Sequence, residues 1–160
     1  MTNHSSSNFS PAERIESLKA GALAGFSVLL TFGIILSGNS FILARRFELL
    51  GSLQIEAWGW EVAFRGAIAL ISGFLFGVTY RYIVRQDQNP HLKDGAILAF
   101  GLVRAFGQID IRLSFQTEKM PTLLELLPLA AVSLESMILF AVAGVVLNWA
   151  IARGTIKPFA

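Results

Sequence analysis

The stretch LKAGALAGFSVLLTFG at residues 18–33 returns in altered form as LKDGAILAFGLVRAFG at residues 92–107. When the chain is aligned with itself at a shift of 74 positions, 17 of the 52 residues in segment 18–69 are identical without a gap. The matches include glycines, phenylalanines and a glutamate pair, Glu61 with Glu135, and not only common aliphatic residues. An internal repeat of this kind predicts a duplicated structural unit.

The composition predicts a membrane protein. Apolar residues make up 54% of the chain and charged residues only 15%, against about 25% charged in an average soluble domain. Segments 18–36, 61–84, 94–109 and 126–152 approach the roughly 20 mainly apolar residues that a spanning helix needs. The third is short and contains Arg104, and it is included because the repeat equates it with the first. We predict an all-α integral membrane four-helix bundle built from two duplicated helical hairpins, a parallel repeat about an axis along the membrane normal.

These segments divide the chain into four regions. Residues 1–17 are predicted to form a polar tail that is disordered at its start and amphiphilic from Pro11 onward, and residues 18–84 are predicted to form the first hairpin. Residues 85–91 are a polar linker, and residues 92–160 hold the second hairpin with a short C-terminal tail. The connection 40–53 is predicted to be an interfacial helix or an extension of the first helix. In the second connection, Thr122 and Glu125 form a capping-box pattern that predicts the start of the fourth helix near Thr122.

The distribution of lysine and arginine predicts the orientation. Seven of them flank the side that holds both termini and the linker, and four flank the opposite side. The positive-inside rule therefore predicts that both termini lie in the cytoplasm or its organellar equivalent. We call this the near side and the opposite side the far side. Tyr80, Tyr82 and Trp149 are expected to mark the near interface, and Trp58 and Trp60 the far one.

Small residues recur at a spacing of four within the apolar segments. Such small-xxx-small patterns allow helix backbones to approach closely in lipid. Two interpretations stay open: an oligomer interface, or packing of the four helices against one another, which the frequency of the pattern favours. The candidate helix-packing residues are Gly21, Gly25, Ala69, Gly73, Gly77, Gly95 and Ala99.

Four charged residues, Glu61, Arg65, Arg104 and Glu135, fall in the outer third of their predicted helices. Each costs about 2.5–3.5 kcal/mol to insert, so the set is a candidate polar intramembrane cluster. Glu61 and Arg65 are one turn apart and are expected to pair. Arg104 and Glu135 lie at similar depth in one hairpin, so a second pair is expected. The alternative to two structural salt bridges is a cation or proton site on the glutamates, or an anion site on an arginine.

The residue types that most often carry catalysis or bind metals are scarce. The chain has no cysteine, and its two histidines, His4 and His91, lie in the tail and the linker. No metalloprotease, nucleophile or phosphate-loop motif is present, and no basic run indicates nucleic acid. We therefore predict no enzyme activity, no cofactor and no metal site, and no nucleic-acid partner.

The middle third of the chain carries a family resemblance. The block YRYIVRQDQNPHLKDGA at residues 80–96, followed by FGLVR at residues 100–104, resembles an uncharacterised family of four-span membrane proteins from cyanobacteria and plastids. The resemblance implies a location in the plasma membrane or thylakoid membrane of a phototroph.

The sequence as a whole favours a non-catalytic scaffold, or an assembly or accessory subunit, of a membrane complex. Its partners would be the lipid bilayer and other membrane subunits or a second copy of the chain. The alternative is a small channel or carrier for an ion or small solute, with the four charged residues as its polar site.

Overall fold

The computed structural model describes residues 10–40, 59–84, 90–114, 122 and 126–159. Four long helices account for nearly all of them: α1 (Pro11–Gly38), α2 (Trp60–Val84), α3 (Pro90–Ser114) and α4 (Leu126–Ala152). Helix α1 begins earlier than the apolar pattern indicated, because the Ser10 side chain accepts a hydrogen bond from the Glu13 amide and Pro11 occupies the first turn. The amphiphilic part of the predicted tail is therefore helical.

The fold class is all-helical, and three helices are long and apolar enough to cross a membrane: α1, α2 and α4. Helix α3 has 25 residues, about 37 Å at 1.5 Å per residue, so its length suffices for a span. The helix is not apolar enough to be counted among the candidate spans, because charged residues such as Asp94, Arg104 and Asp110 interrupt its apolar sequence.

Helix α1 packs against α2 and α4, and α3 packs against α4 and less extensively against α2. Over these described helices, no Cα of α1 lies within 8 Å of a Cα of α3. The two therefore lie at opposite corners of the bundle, and this arrangement decides which polar residues can meet.

Four aromatic side chains fill the centre of the bundle, and we call Phe76, Tyr80, Phe100 and Phe140 the aromatic layer. The Phe76 ring centroid lies 5.2–5.4 Å from the centroids of the other three. Tyr80 is fully buried and its hydroxyl donates to Asn148 Oδ1 at 3.0 Å. The prediction that Tyr80 marks the interface is wrong, because its hydroxyl finds an acceptor inside the bundle.

The seam between α1 and α2 is built on glycine. A Cβ added at Gly73 would lie 2.8 Å from Val28 Cβ and 2.9 Å from Gly25 Cα. One added at Gly77 would overlap the carbonyl oxygen of Ala20. The two backbones therefore approach too closely for any side chain at these positions.

The other candidate packing residues fall into two groups. Gly21 faces the Phe74 ring from the same seam, and Ala69 is fully buried. Gly95 and Ala99 are exposed on the outer face of α3. Helix α3 approaches α4 elsewhere, through glycines that the fourfold pattern did not single out: Gly101 against Met137, and Gly144 against Ile97.

Several predictions lie outside the described residues. They include the polar start of the tail, the interfacial segment 40–53 apart from Ser40, most of the linker, and Trp58. In the second connection, the Leu126 amide donates to the Thr122 carbonyl at 3.2 Å, a helical spacing, but residues 123–125 between them are also outside.

Candidate functional site

The four predicted intramembrane charges do not form one cluster. Arg65 Nη2 and Glu61 Oε1 are 2.5 Å apart, with side chains 51% and 73% exposed, so the expected pair forms on the outer surface of α2. In the parts of α2, α3 and α4 that the structure describes, no ion pair joins it to Arg104 or Glu135. A single four-charge site is therefore not assembled.

Glu135 binds α1 instead of α3. Its Oε1 accepts a hydrogen bond of 2.6 Å from Nδ2 of Asn39, a buried residue just after the end of α1. The predicted Arg104–Glu135 ion pair is wrong. Successive residues on a helix point about 100° apart, so Glu135 faces α1 while its neighbour Ser136 faces α3.

Ser136 provides the polar contact between α3 and α4. Gln108 Nε2 donates to Ser136 Oγ at 2.8 Å, and the same hydroxyl donates to the Val132 carbonyl at 3.0 Å. Ser136 is almost completely buried. Sequence reasoning missed this contact because neither residue is charged, although Gln108 is an amide within an apolar segment.

Arg104 has no partner among the described residues. It lies one turn after Phe100 and one turn before Gln108 on the face of α3 that is directed into the bundle. Its Nε is buried without a hydrogen-bond partner, and no described residue makes a hydrogen bond or ion pair with its guanidinium. A buried donor left unpaired costs about 1–3 kcal/mol, and more when charged.

On the far side of the aromatic layer, residues on the inward faces of α2 and α3 are exposed, which leaves space between the two helices there. Gly107 and Ile111 follow Phe100 by 7 and 11 residues and so share its face of α3. Ile111 is nevertheless 60% exposed, and nothing lies within 4 Å of a Cβ built on Gly107. On α2, Arg65 precedes Phe76 by 11 residues and shares its face, yet it is exposed. We call this space, bounded by Arg65, Arg104, Gly107 and Ile111, the far-side opening.

The near side is closed by a buried arginine. Arg81 is 2% exposed, and its guanidinium donates to three oxygens that belong to α1 and to the chain after α4. They are the Lys157 carbonyl at 2.9 Å, the Glu13 carbonyl at 3.1 Å and the Ser17 hydroxyl at 2.7 Å. In the sequence Arg81 is only one of the seven lysines and arginines of the near side, since nothing in the pattern showed that the C-terminal tail folds back onto it.

The tail returns because α4 ends in a glycine turn. Gly154 has φ 71°, and the Thr155 amide donates to the Ala150 carbonyl at 3.0 Å, a Schellman arrangement. The Lys157 amide then donates to Glu16 Oε2 at 3.0 Å. Glu16 lies in the first turns of α1, outside the uncharged residues 20–38. Hydrogen bonds from Lys19 and then Lys157 hold the pKa of its carboxyl below the ordinary value.

The described residues form no candidate metal site. Across the described helices and tail, no group of three or more histidine, aspartate or glutamate side chains is placed to hold a metal ion. No family model, curated protein or solved structure matches the chain.

Proposed function

We propose that the chain is a four-span integral membrane protein that acts as a non-catalytic scaffold or accessory subunit of a membrane complex. The aromatic layer is the observation that carries this proposal. It closes the bundle at the level of Phe76. The polar residues of the far half all lie on the far side of this layer. A conduit for ions or solutes needs a continuous polar path, and this packing favours a structural role instead.

The near half supports the same conclusion. Below the aromatic layer the core consists of tightly buried aliphatic residues, including Ala143, Leu147 and Ile156. Arg81 and the folded-back tail then cap it. A solute leaving on the near side would have to displace packed side chains and break the hydrogen bonds of Arg81.

The outer surface offers faces for other membrane helices. Gly95 and Ala99 are exposed on α3 with open space beside Gly95. A covering helix would also shield α3, which is too polar to face lipid all round. Small outward residues allow such a helix to approach closely. We place the protein in the plasma or thylakoid membrane, with the near side cytoplasmic or stromal.

The test is purification of the tagged full chain from its native membranes in mild detergent. We expect a membrane partner at constant stoichiometry that is lost in the double variant Gly95→Leu, Ala99→Leu. It should be retained in Val145→Leu, a matched change at an exposed site on α4. A chain that purifies alone, with no stoichiometric partner or second copy, contradicts the scaffold role.

A carrier is the second candidate, and one observation favours it: the unpartnered guanidinium of Arg104 beside the far-side opening. Proteoliposomes containing the purified chain separate the two functions. We expect no flux of small anions or protons above that of empty vesicles. Flux that disappears in Arg104→Gln would favour the carrier.

A further inference from the structure

We propose that the far-side opening binds an anionic group, a carboxylate or a phosphate, on the guanidinium of Arg104. This binding site is independent of the scaffold role, since a structural subunit and a carrier would both leave it in place.

The first argument is the contrast between Arg104 and the other intramembrane charges. Arg65 is paired with Glu61, Glu135 accepts a hydrogen bond from Asn39, and Arg81 has three oxygen acceptors. Among these charged groups in the described part of the chain, the buried Nε of the half-buried Arg104 alone has no acceptor. A buried charge normally persists only when it is paired or hydrogen-bonded. The missing acceptor is therefore expected from outside the chain.

The second argument is geometric. The Nε and Nη groups of an arginine form a planar fork that matches the two oxygens of a carboxylate or phosphate. Gln108, one turn further along α3, uses its amide nitrogen on Ser136 and so fixes α3 against α4 beside the guanidinium. The lack of a side chain at Gly107 and the exposed position of Ile111 leave room next to the fork.

The charges around the opening favour an anion. Arg65 on α2 adds a second guanidinium on the same side, although Glu61 balances much of its charge. Glu135 would oppose an anion, but its carboxylate is bound to Asn39 on α1. No Cα of α1 lies within 8 Å of a Cα of α3 over the described helices, so this carboxylate is held on another side of α4.

The neighbouring residues point to an amphiphile, because Phe100 lies one turn from Arg104 on the side of the aromatic layer and the exposed Ile111 lies on the other side. The opening lies between two helices, so a lipid can enter sideways from the bilayer. A water-soluble carboxylate or phosphate entering from the far side would offer the guanidinium the same anionic oxygens as a lipid headgroup. The experiment separates these two sources.

The experiment uses the full chain purified in a neutral detergent. Bound lipid is counted by native mass spectrometry during titration with dioleoylphosphatidylglycerol, with dioleoylphosphatidylcholine, which has the same chains but no net charge, and with inorganic phosphate as a competitor. The variants are Arg104→Gln and Arg104→Lys. The matched control is Arg153→Gln, which removes a near-side guanidinium that lies 3.9 Å from the Trp149 ring.

We expect phosphatidylglycerol to bind about tenfold more tightly than phosphatidylcholine, and Arg104→Gln to lose about tenfold in affinity, the effect of one charge-assisted hydrogen bond. Arg104→Lys should lose part of the affinity, and Arg153→Gln none. Displacement of the lipid by millimolar phosphate would support the anion site and indicate that its natural ligand is a water-soluble anion. Equal affinity of Arg104→Gln and the unchanged chain, or equal losses in Arg104→Gln and Arg153→Gln, would overturn the proposal.

Discussion

Replacement by alanine should have opposite effects at two helix glycines that look alike in the sequence, one outside the α1–α2 seam and one inside it. Gly33 and Gly77 both lie within apolar helices, and alanine is favoured over glycine in a helix by about 0.4–1 kcal/mol. At Gly33 nothing lies within 4 Å of an added Cβ, so Gly33→Ala should raise the free energy of unfolding by about that amount.

Gly77→Ala should lower it. The added methyl group meets the backbone carbonyl oxygen of Ala20 and the Cβ of Ala24, an atom whose position the α1 backbone fixes. Backbone cannot rotate away as a side chain can, so α1 and α2 must separate. Overpacking costs about 1–3 kcal/mol, which leaves a net loss of about 1–2 kcal/mol after the helix gain. Gly73→Ala has the same sign, because its neighbours are Val28 Cβ and Gly25 Cα.

The assay is unfolding of the purified chain in mixed micelles by added dodecyl sulfate, followed by circular dichroism. We expect Gly33→Ala and Gly77→Ala to differ by about 2 kcal/mol, with Gly21→Ala between them, since its neighbour is the movable edge of the Phe74 ring. Equal stabilities for Gly33→Ala and Gly77→Ala would refute the close contact of α1 and α2.

Three further predictions rest on the polar contacts. Arg104→Leu should leave the ligand-free chain as stable or more stable in the same assay, because no partner is lost. A loss of about 3–5 kcal/mol would instead indicate that Arg104 forms an ion pair with Glu135. Glu135→Leu should cost about 1–3 kcal/mol by leaving the buried Asn39 amide unpaired, whereas Glu135→Gln, which keeps an acceptor, should cost less. Arg81→Met should expose the C-terminal tail to carboxypeptidase, because the Lys157 carbonyl loses its donor; an unchanged cleavage rate would contradict the closure of the near side.

The helices were predictable because long apolar runs dominate the choice of structure. The fourth predicted segment, 126–152, coincides with α4, and the second differs from α2 by one residue at its start. The ends of α1 and α3 were missed, since both helices continue into polar sequence. There the local signals, such as Ser10 before Pro11, decide the start, and hydropathy does not.

The pairing of charges was not predictable from depth in the membrane. Arg104 and Glu135 were matched because they lie at similar heights, but height does not fix the direction in which a side chain points. The partner of Glu135 depends on α1 lying beside α4, which only the tertiary arrangement supplies. Arg81 shows the same limit, since its acceptors come from opposite ends of the chain.

The internal repeat also predicted the contacts of equivalent residues less well than its sequence match indicated. Glu61 and Glu135 are equivalent positions, yet Glu61 pairs with Arg65 at an exposed surface and Glu135 binds Asn39. Identical residues in the two halves therefore meet different neighbours. That segment 18–84 superposes on 92–158 about an axis along the membrane normal stays a prediction.

The claim that α3 crosses the membrane is central, because it makes four spans and places the far-side opening inside the bilayer. The chain has no cysteine, so single cysteines at Ser10, Gly59, Ser114 and Thr155, all exposed, can be labelled in sealed vesicles with a membrane-impermeant maleimide. We predict that Gly59→Cys and Ser114→Cys react from one side, and Ser10→Cys and Thr155→Cys from the other. Labelling of Ser114→Cys from the same side as Ser10→Cys would show that α3 does not cross and would contradict the four-span bundle.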